Sequence, residues 1–110
     1  MFDVINLPRV KFVNMYTKPI NMRWGENKLK NLCIEEMKID PKKGEVFLFF
    51  NKAMDQLKLF FIDDISVQEV VKALPKGGFM LPVAKENDIV VKVERKKLDA
   101  IFKSKLGKKR

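Results

Sequence analysis

The residue types that perform most enzyme chemistry are scarce in this chain. It has no histidine and a single cysteine, Cys33, so it can form neither a histidine-based proton relay nor a structural zinc site. Asp63 and Asp64 are adjacent carboxylates, which can hold magnesium when they are paired. Neighbouring residues on a strand point to opposite faces, however, so we interpret the two aspartates as turn residues. We expect no catalytic residue, no metal site and no cofactor.

The sequence is rich in positive charge, and this charge is concentrated towards the C-terminus. The 110 residues carry a net charge of +9. Residues 92–110 contain nine basic and two acidic residues, whereas residues 1–91 contain fourteen basic and twelve acidic ones. Such a concentration favours a polyanion, with DNA or RNA first, because each neutralised phosphate releases counterions. The alternative is a solvated, lysine-rich helix face that keeps the protein soluble.

The basic segment is predicted to lie on a last helix, from Glu94 to about Ser104. Leu98, Ile101 and Phe102 would face inward at helical spacing. Residues 105–110 are expected to fray as a basic tail, which leaves residues 1–104 as one domain. The candidate phosphate contacts in this segment are Arg95, Lys96, Lys97 and Lys103.

A first helix is predicted near residues 22–36, with Asn21 as its N-cap and Trp24 in its first turn. Leu29, Leu32 and Cys33 recur at helical spacing. Arg23 would then lie at a helix start, where free backbone amides favour a phosphate. Alternatively, Arg23 pairs with a carboxylate or a carbonyl, and Trp24 anchors the core or an interface.

Five of the nine phenylalanines lie in residues 46–62. Val46–Phe50 is apolar throughout and Leu57–Ile62 nearly so, whereas a strand facing water on one side would alternate. A surface on which bases stack needs exposed aromatic residues among basic ones, and Lys58 is the one basic residue in the two runs. We therefore predict a hairpin in the middle of a sheet, with its rings in the core.

The remaining segments indicate a small single α+β domain, with a mainly antiparallel sheet, a central hairpin and two helices. Asp40-Pro41-Lys42-Lys43-Gly44 is typical of a turn. Residues 66–74 fit a strand or a helix capped by Ser66. Further extended segments are predicted at residues 10–13, 79–83 and 89–93.

Three segments of the chain resemble sequence elements of one family. Residues 19–25, Pro-Ile-Asn-Met-Arg-Trp-Gly, are similar to its Pro-x-Asp-Met-Arg-Lys-Gly element. Residues 40–58 are similar to its Asp-Pro…Gly-x-x-Phe-x-Phe…Asp-Arg-x-Lys hairpin, and residues 74–79 to its Leu-x-x-Gly-x-Phe element. The family is that of the small accessory proteins encoded by the second open reading frame of insertion elements of the IS-sixty-six type, often called TnpB, a label shared with an unrelated RNA-guided nuclease.

The chain departs from the family pattern in charge. Asn21 stands where the family has an aspartate, and Trp24 where it has a lysine. The family's hairpin loop is rich in arginine, but here it contains Lys52, with Gln56 at another customary arginine position. Lys58 matches the lysine that ends the hairpin motif. Lys52 and Lys58 are therefore the hairpin residues that the resemblance adds as candidates for phosphate contact.

The resemblance implies a non-catalytic accessory factor in DNA transposition that acts beside a separate transposase or another transposon-encoded protein. Together with the charge, this favours DNA binding through the basic C-terminal segment. The alternative is an adaptor that docks on the transposase or another accessory protein without touching DNA. No apolar run approaches the roughly 20 residues of a membrane helix, and no secretory signal is evident. We therefore expect a cytoplasmic protein.

Overall fold

The fold is organised around a hairpin of two apolar strands, β2 (Val46–Phe50) and β3 (Gln56–Asp63). The strands are antiparallel, and Leu48 lies opposite Leu59 in their register. In this computed structural model, residues 9–63, 66–73, 85 and 87–98 are described. The predicted hairpin is confirmed, and so is the burial of its rings, since Phe47, Phe49 and Phe61 lie in the core together with Leu57 and Leu59.

The polar break between β2 and β3 closes the hairpin through the side chain of Asn51. Its Oδ1 accepts hydrogen bonds from the backbone N–H groups of Asp55 and Gln56, at 3.1 and 3.0 Å. Its Nδ2 donates to Asp55 Oδ1 at 2.7 Å. Met54 adopts a left-handed conformation with φ of 61°. Asn51 thus supplies the acceptor that the turning backbone would otherwise lack.

Among the described residues, three further strands join this hairpin in a five-stranded sheet: β1 (Phe12–Tyr16), β4 (Ser66–Ala73) and β5 (Val90–Glu94). The strand order is β4-β3-β2-β1-β5. β1 runs parallel to β2, and every other pair is antiparallel. The predicted mainly antiparallel α+β architecture is confirmed. Residues 66–73, which fitted either a strand or a helix, are a strand.

The parallel pair β1 and β2 is joined by a helical crossover, as parallel strands require. Helix α1 (Glu26–Asn31) continues directly into a π-helical segment (Leu32–Met37). The π-helical segment ends at Lys38, whose φ is 62°. A short 3₁₀ helix (Pro41–Lys43) follows before β2. No helix among the described residues is long and apolar enough to cross a membrane.

Each face of the hairpin packs against a different apolar layer. One layer contains alternate residues of β1, β2 and β3 together with Val93 and Leu98. The other places Phe47, Phe49 and Phe60 against the helical crossover, whose buried residues are Leu29, Leu32, Cys33 and Met37. All five residues of β2 are buried as a consequence. This two-sided burial explains why β2 is apolar at every position.

The predicted start of the first helix is wrong. Asn21 is not the N-cap: its Oδ1 accepts a hydrogen bond from Arg23 N at 2.8 Å, within a turn, and Gly25 precedes α1 in an extended conformation. Arg23 and Trp24 therefore lie before the helix. A tertiary contact explains the later start of the helix: the carbonyls of Met22 and Trp24 accept hydrogen bonds from the ammonium group of Lys58.

The predicted bounds of two strands also shift. The segment expected at residues 10–13 begins and ends later, as β1 (Phe12–Tyr16), because the polar side chain of Asn14 is buried through hydrogen bonds. The strand expected at residues 89–93 is β5, one residue further on. Residues 95–98 are helical, in agreement with the predicted start of the last helix. Its remainder, the segment 79–83, Asp64 and the tail 105–110 lie outside the described residues.

The turn predicted at residues 40–44 is confirmed together with its mechanism. Asp40 Oδ1 accepts a hydrogen bond from Lys42 N at 2.9 Å, which caps the 3₁₀ helix. Pro41 occupies the first helical position, where its missing N–H costs nothing. Gly44 has φ of 77°, a left-handed conformation that residues with a side chain rarely adopt. The turn fixes Lys43 immediately before β2.

The side chains of Cys33 and Tyr16 are both buried in the apolar layer that contains the helical crossover, and they make the free energy of unfolding depend on pH. Burial raises the pKa of the Cys33 thiol from 9.0 to about 12. Burial, followed by the hydrogen bond to Glu36 and its negative charge, raises the pKa of Tyr16 from 10.0 to about 12. The unfolded chain loses these protons at lower pH than the folded protein does. Stability therefore falls as the pH rises from about 9 towards 12.

We expect urea unfolding at a series of pH values to give a free energy of unfolding that decreases above about pH 9. The double variant Cys33→Ala, Tyr16→Phe removes both groups, so its decrease over the same range should be smaller. Each protein serves as its own reference at pH 8, which separates the pH effect from any change in packing. Parallel curves for the two proteins would contradict this assignment.

Candidate nucleic-acid interface

The basic C-terminal segment begins beside the first strand of the sheet. β5 is the strand next to β1, and Glu94 lies opposite Phe12 in their register. The chain then becomes helical, and the N–H group of Arg95 donates a hydrogen bond to the carbonyl of Lys11 at 2.9 Å. Lys96 and Lys97 are exposed, whereas Arg95 is half-buried. Lys103 lies outside the described residues.

A cleft lies at the same end of the sheet, where β1 begins. Its volume is about 460 Å³, and its walls include four basic residues and one acidic residue, Glu45. The capped turn before β2 supplies Lys43 and Gly44. β5 supplies Lys92. The described residues that line the cleft are Arg9, Val10, Lys11, Phe12, Lys43, Gly44, Glu45 and Lys92.

A fully buried asparagine ties two walls of the cleft together. Asn14 Oδ1 accepts a hydrogen bond from Lys92 Nζ at 2.8 Å. Asn14 Nδ2 donates to Glu45 Oε1 at 2.9 Å and to the carbonyl of Val46 at 3.1 Å. A buried amide is costly unless its hydrogen bonds are made, and here all three partners come from other strands or their ends. Asn14 therefore positions both Lys92 and Glu45.

Two other candidates from the sequence, Arg23 and Lys52, lie at the opposite end of β2. Both are exposed. The segment that leads to Arg23 lies beside the end of β2, because Ile20 N donates to the carbonyl of Phe50 at 2.8 Å and Ile20 bridges Asn51. A five-residue strand spans roughly 17 Å. The fold thus separates Arg23 and Lys52 from the basic segment at Arg95 instead of gathering the candidates into one site.

Lys58, the remaining candidate, turns its charge inward. Its side chain is 3% exposed, and Nζ forms an ion pair with Glu69 at 3.0 Å. The same ammonium donates to the carbonyls of Met22 and Trp24, at 3.1 and 3.4 Å. Lys58 thereby joins β3, β4 and the turn before α1. This placement gives Lys58 a structural role and directs its ammonium away from solvent.

The cleft was not predicted from the sequence. Its charges come from positions 9, 11, 43 and 92, which are far apart in sequence and meet only through the pairing of β1 with β2 and β5. The local signal was the pair Arg9 and Lys11 before Phe12. That signal identifies basic residues at a strand start but not the strand that faces them.

Removing the ammonium of the buried Lys58 should destabilise the fold. Lys58→Met keeps most of the aliphatic side chain but leaves two carbonyls and the Glu69 carboxylate without their donor. We expect the free energy of unfolding to fall by about 1–3 kcal/mol, mainly from the carbonyls, because the Glu69 side chain is 29% exposed and water can solvate its charge. Lys52→Met, in the exposed hairpin loop, is the matched control and should change it by less than about 0.5 kcal/mol. Equal urea midpoints for the two variants would refute the structural role.

Replacing the buried side-chain amide of Asn14 should also lower the free energy of unfolding. Asn14→Leu keeps the branched shape of the side chain, but it leaves the Val46 carbonyl without that donor, so we expect a loss of about 1–3 kcal/mol in urea unfolding. Asn27→Leu, at an exposed position of α1, should stay within about 0.5 kcal/mol of the parent. If the Asn14 variant is as stable as the parent, the network contributes nothing.

Comparison with known proteins gives the chain a family. No solved structure matches it. The uncharacterized protein y4jC of Sinorhizobium fredii (strain NBRC 101917 / NGR234) is 31% identical over 70 residues, which are 64% of this chain. The chain spans about 60% of the length of that relative. The family model described as IS66 Orf2-like protein matches residues 11–107, and the chain therefore belongs to the IS66 Orf2-like family.

Proposed function

We propose that this protein is a non-catalytic accessory factor of transposition that binds DNA through the basic surface formed by residues 95–97 and the C-terminal segment that follows them. The observation that carries the proposal is the exposure of Lys96 and Lys97 where the chain leaves the sheet. Nine basic residues lie between positions 92 and 110. Lysines need no fixed geometry to bind the phosphate backbone, because the energy comes from counterion release.

Two further aspects of the chain support this reading. The chain has no histidine, which is the side chain that most often transfers protons in enzymes. This composition favours a binding role over a catalytic one. Membership of the IS66 Orf2-like family favours action beside a transposase or another transposon-encoded protein. In this proposal residues 1–104 form the folded unit and residues 105–110 add charge. Phosphate contacts carry little sequence information, so binding should tolerate different DNA sequences.

A salt titration with duplex DNA tests the proposal. We expect affinity to fall steeply with salt, and Lys96→Gln, Lys97→Gln should reduce the slope of log affinity against log salt by up to about 2. The matched control is Lys18→Gln, Lys85→Gln. It removes the same charge from two exposed lysines near Thr17 and Asp88, at the other end of β1. Its slope should equal that of the parent.

Two outcomes would contradict the proposal. Equal slopes for both double variants would move the contact away from residues 96 and 97. No binding by the parent protein at low salt would favour the adaptor role, in which the protein docks on a transposon-encoded partner without touching DNA.

A further inference from the structure

We infer that the cleft at the start of β1 binds single-stranded DNA, with phosphates against its basic walls and a base stacked on the ring of Phe12. This inference rests on the proposed function, because it names the form of DNA that the same end of the sheet would hold. It also adds a site that the basic C-terminal segment does not contain.

The charge of the cleft favours a phosphate backbone. Among the described residues that line it, Arg9, Lys11, Lys43 and Lys92 are basic, and the single carboxylate is that of Glu45. Oxygen Oε1 of that carboxylate accepts a hydrogen bond from Asn14. The lining therefore has a net charge of about +3 at neutral pH, and a concave basic surface concentrates anions more than scattered lysines do.

Lys92 is held in place for such a contact. Its ammonium donates to Asn14 Oδ1 at 2.8 Å, and Asn14 is itself fixed by bonds to Glu45 and to the Val46 carbonyl. A lysine ammonium has three N–H donors, so one bond to Asn14 leaves donors that can point at a phosphate oxygen. Fixing the side chain in advance reduces the entropy lost on binding.

Phe12 supplies the aromatic surface that distinguishes single strands from duplexes. It is 39% exposed, whereas the other five phenylalanines that the structure describes are buried. It lines the cleft among the basic residues, which is the combination that single-strand binding sites use: basic groups follow the backbone and bases stack on rings. In a duplex the base faces are already stacked on one another, so the ring has no base face to cover.

The cleft and the basic segment form one continuous footprint. The hydrogen bond from Arg95 N to the Lys11 carbonyl places the start of the helical residues beside the cleft wall. Lys96 and Lys97 follow directly. A strand held over Phe12 could therefore extend its phosphates towards both lysines, within the roughly 4–16 nucleotides that small single-strand sites cover.

Fluorescence anisotropy with the full-length protein tests the inference. The probes are a labelled oligothymidylate of about 12 nucleotides and a duplex of the same length. Phe12→Leu, which keeps an apolar side chain but removes the ring, should weaken oligothymidylate binding roughly five- to hundred-fold and leave duplex binding unchanged. Phe12→Tyr keeps a stacking surface and should bind like the parent. Circular dichroism and the urea midpoint establish that each variant is folded.

Two charge variants give effects of opposite sign. Lys43→Gln, Lys92→Gln should lower the single-strand salt slope by up to about 1.4, whereas Lys18→Gln, Lys85→Gln should not change it. Glu45→Gln removes the one negative charge of the lining and keeps an oxygen that can accept from Asn14. We expect it to tighten oligothymidylate binding, a gain that a purely structural role for Glu45 would not produce.

The outcomes separate the two proposals. If duplex binding depends on Lys96 and Lys97 but Phe12→Leu and the cleft charges do not affect oligothymidylate, the inference is wrong and the proposed function stands. If Phe12→Leu and Phe12→Tyr weaken the single strand equally, stacking is refuted. If neither probe binds the parent protein at low salt, both proposals are refuted.

Discussion

The structure depends on the burial of β2 from both sides. A strand whose five residues are all buried needs two apolar layers, and both layers include segments from outside the hairpin. One comes from the crossover between β1 and β2, and the other includes Val93 and Leu98 from the far end of the described chain. Each buried phenylalanine contributes about 1.5–3 kcal/mol, so the central strand can recruit distant segments to cover it.

This burial explains which parts of the fold could be predicted from the sequence. A strand covered on both faces has an unbroken apolar run, and Val46–Phe50 is such a run; the hairpin therefore followed from pattern alone. The turn at residues 40–44 followed from the chemistry of Asp40, Pro41 and Gly44. The sequence of residues 66–73 was ambiguous because the spacing of their valines fits both a helix and a strand. Their antiparallel pairing with β3 makes them a strand.

The failures have a common physical cause, which is a polar side chain buried by a distant partner. Asn14 looks like a strand terminator, but its bonds to Lys92, Glu45 and Val46 place it in the middle of β1. Asn21 looks like an N-cap, but the ammonium of Lys58 holds the following carbonyls outside the helix. The candidate interface shows the same dependence on contacts between distant residues. The basic segment could be predicted from the charge of consecutive residues, whereas the cleft forms only when β1 pairs with β2 and β5.

The pairing of β1 with β5 brings together the first and last strands of the described chain, since Phe12 and Glu94 are opposite one another. The cleft is therefore made of residues that leave the ribosome about 80 residues apart. Contacts of such long sequence separation form late, because the intervening loop must close first. A nascent chain that ends before β5 lacks Lys92 and the wall that it forms, so the cleft comes into existence only when synthesis has passed β5.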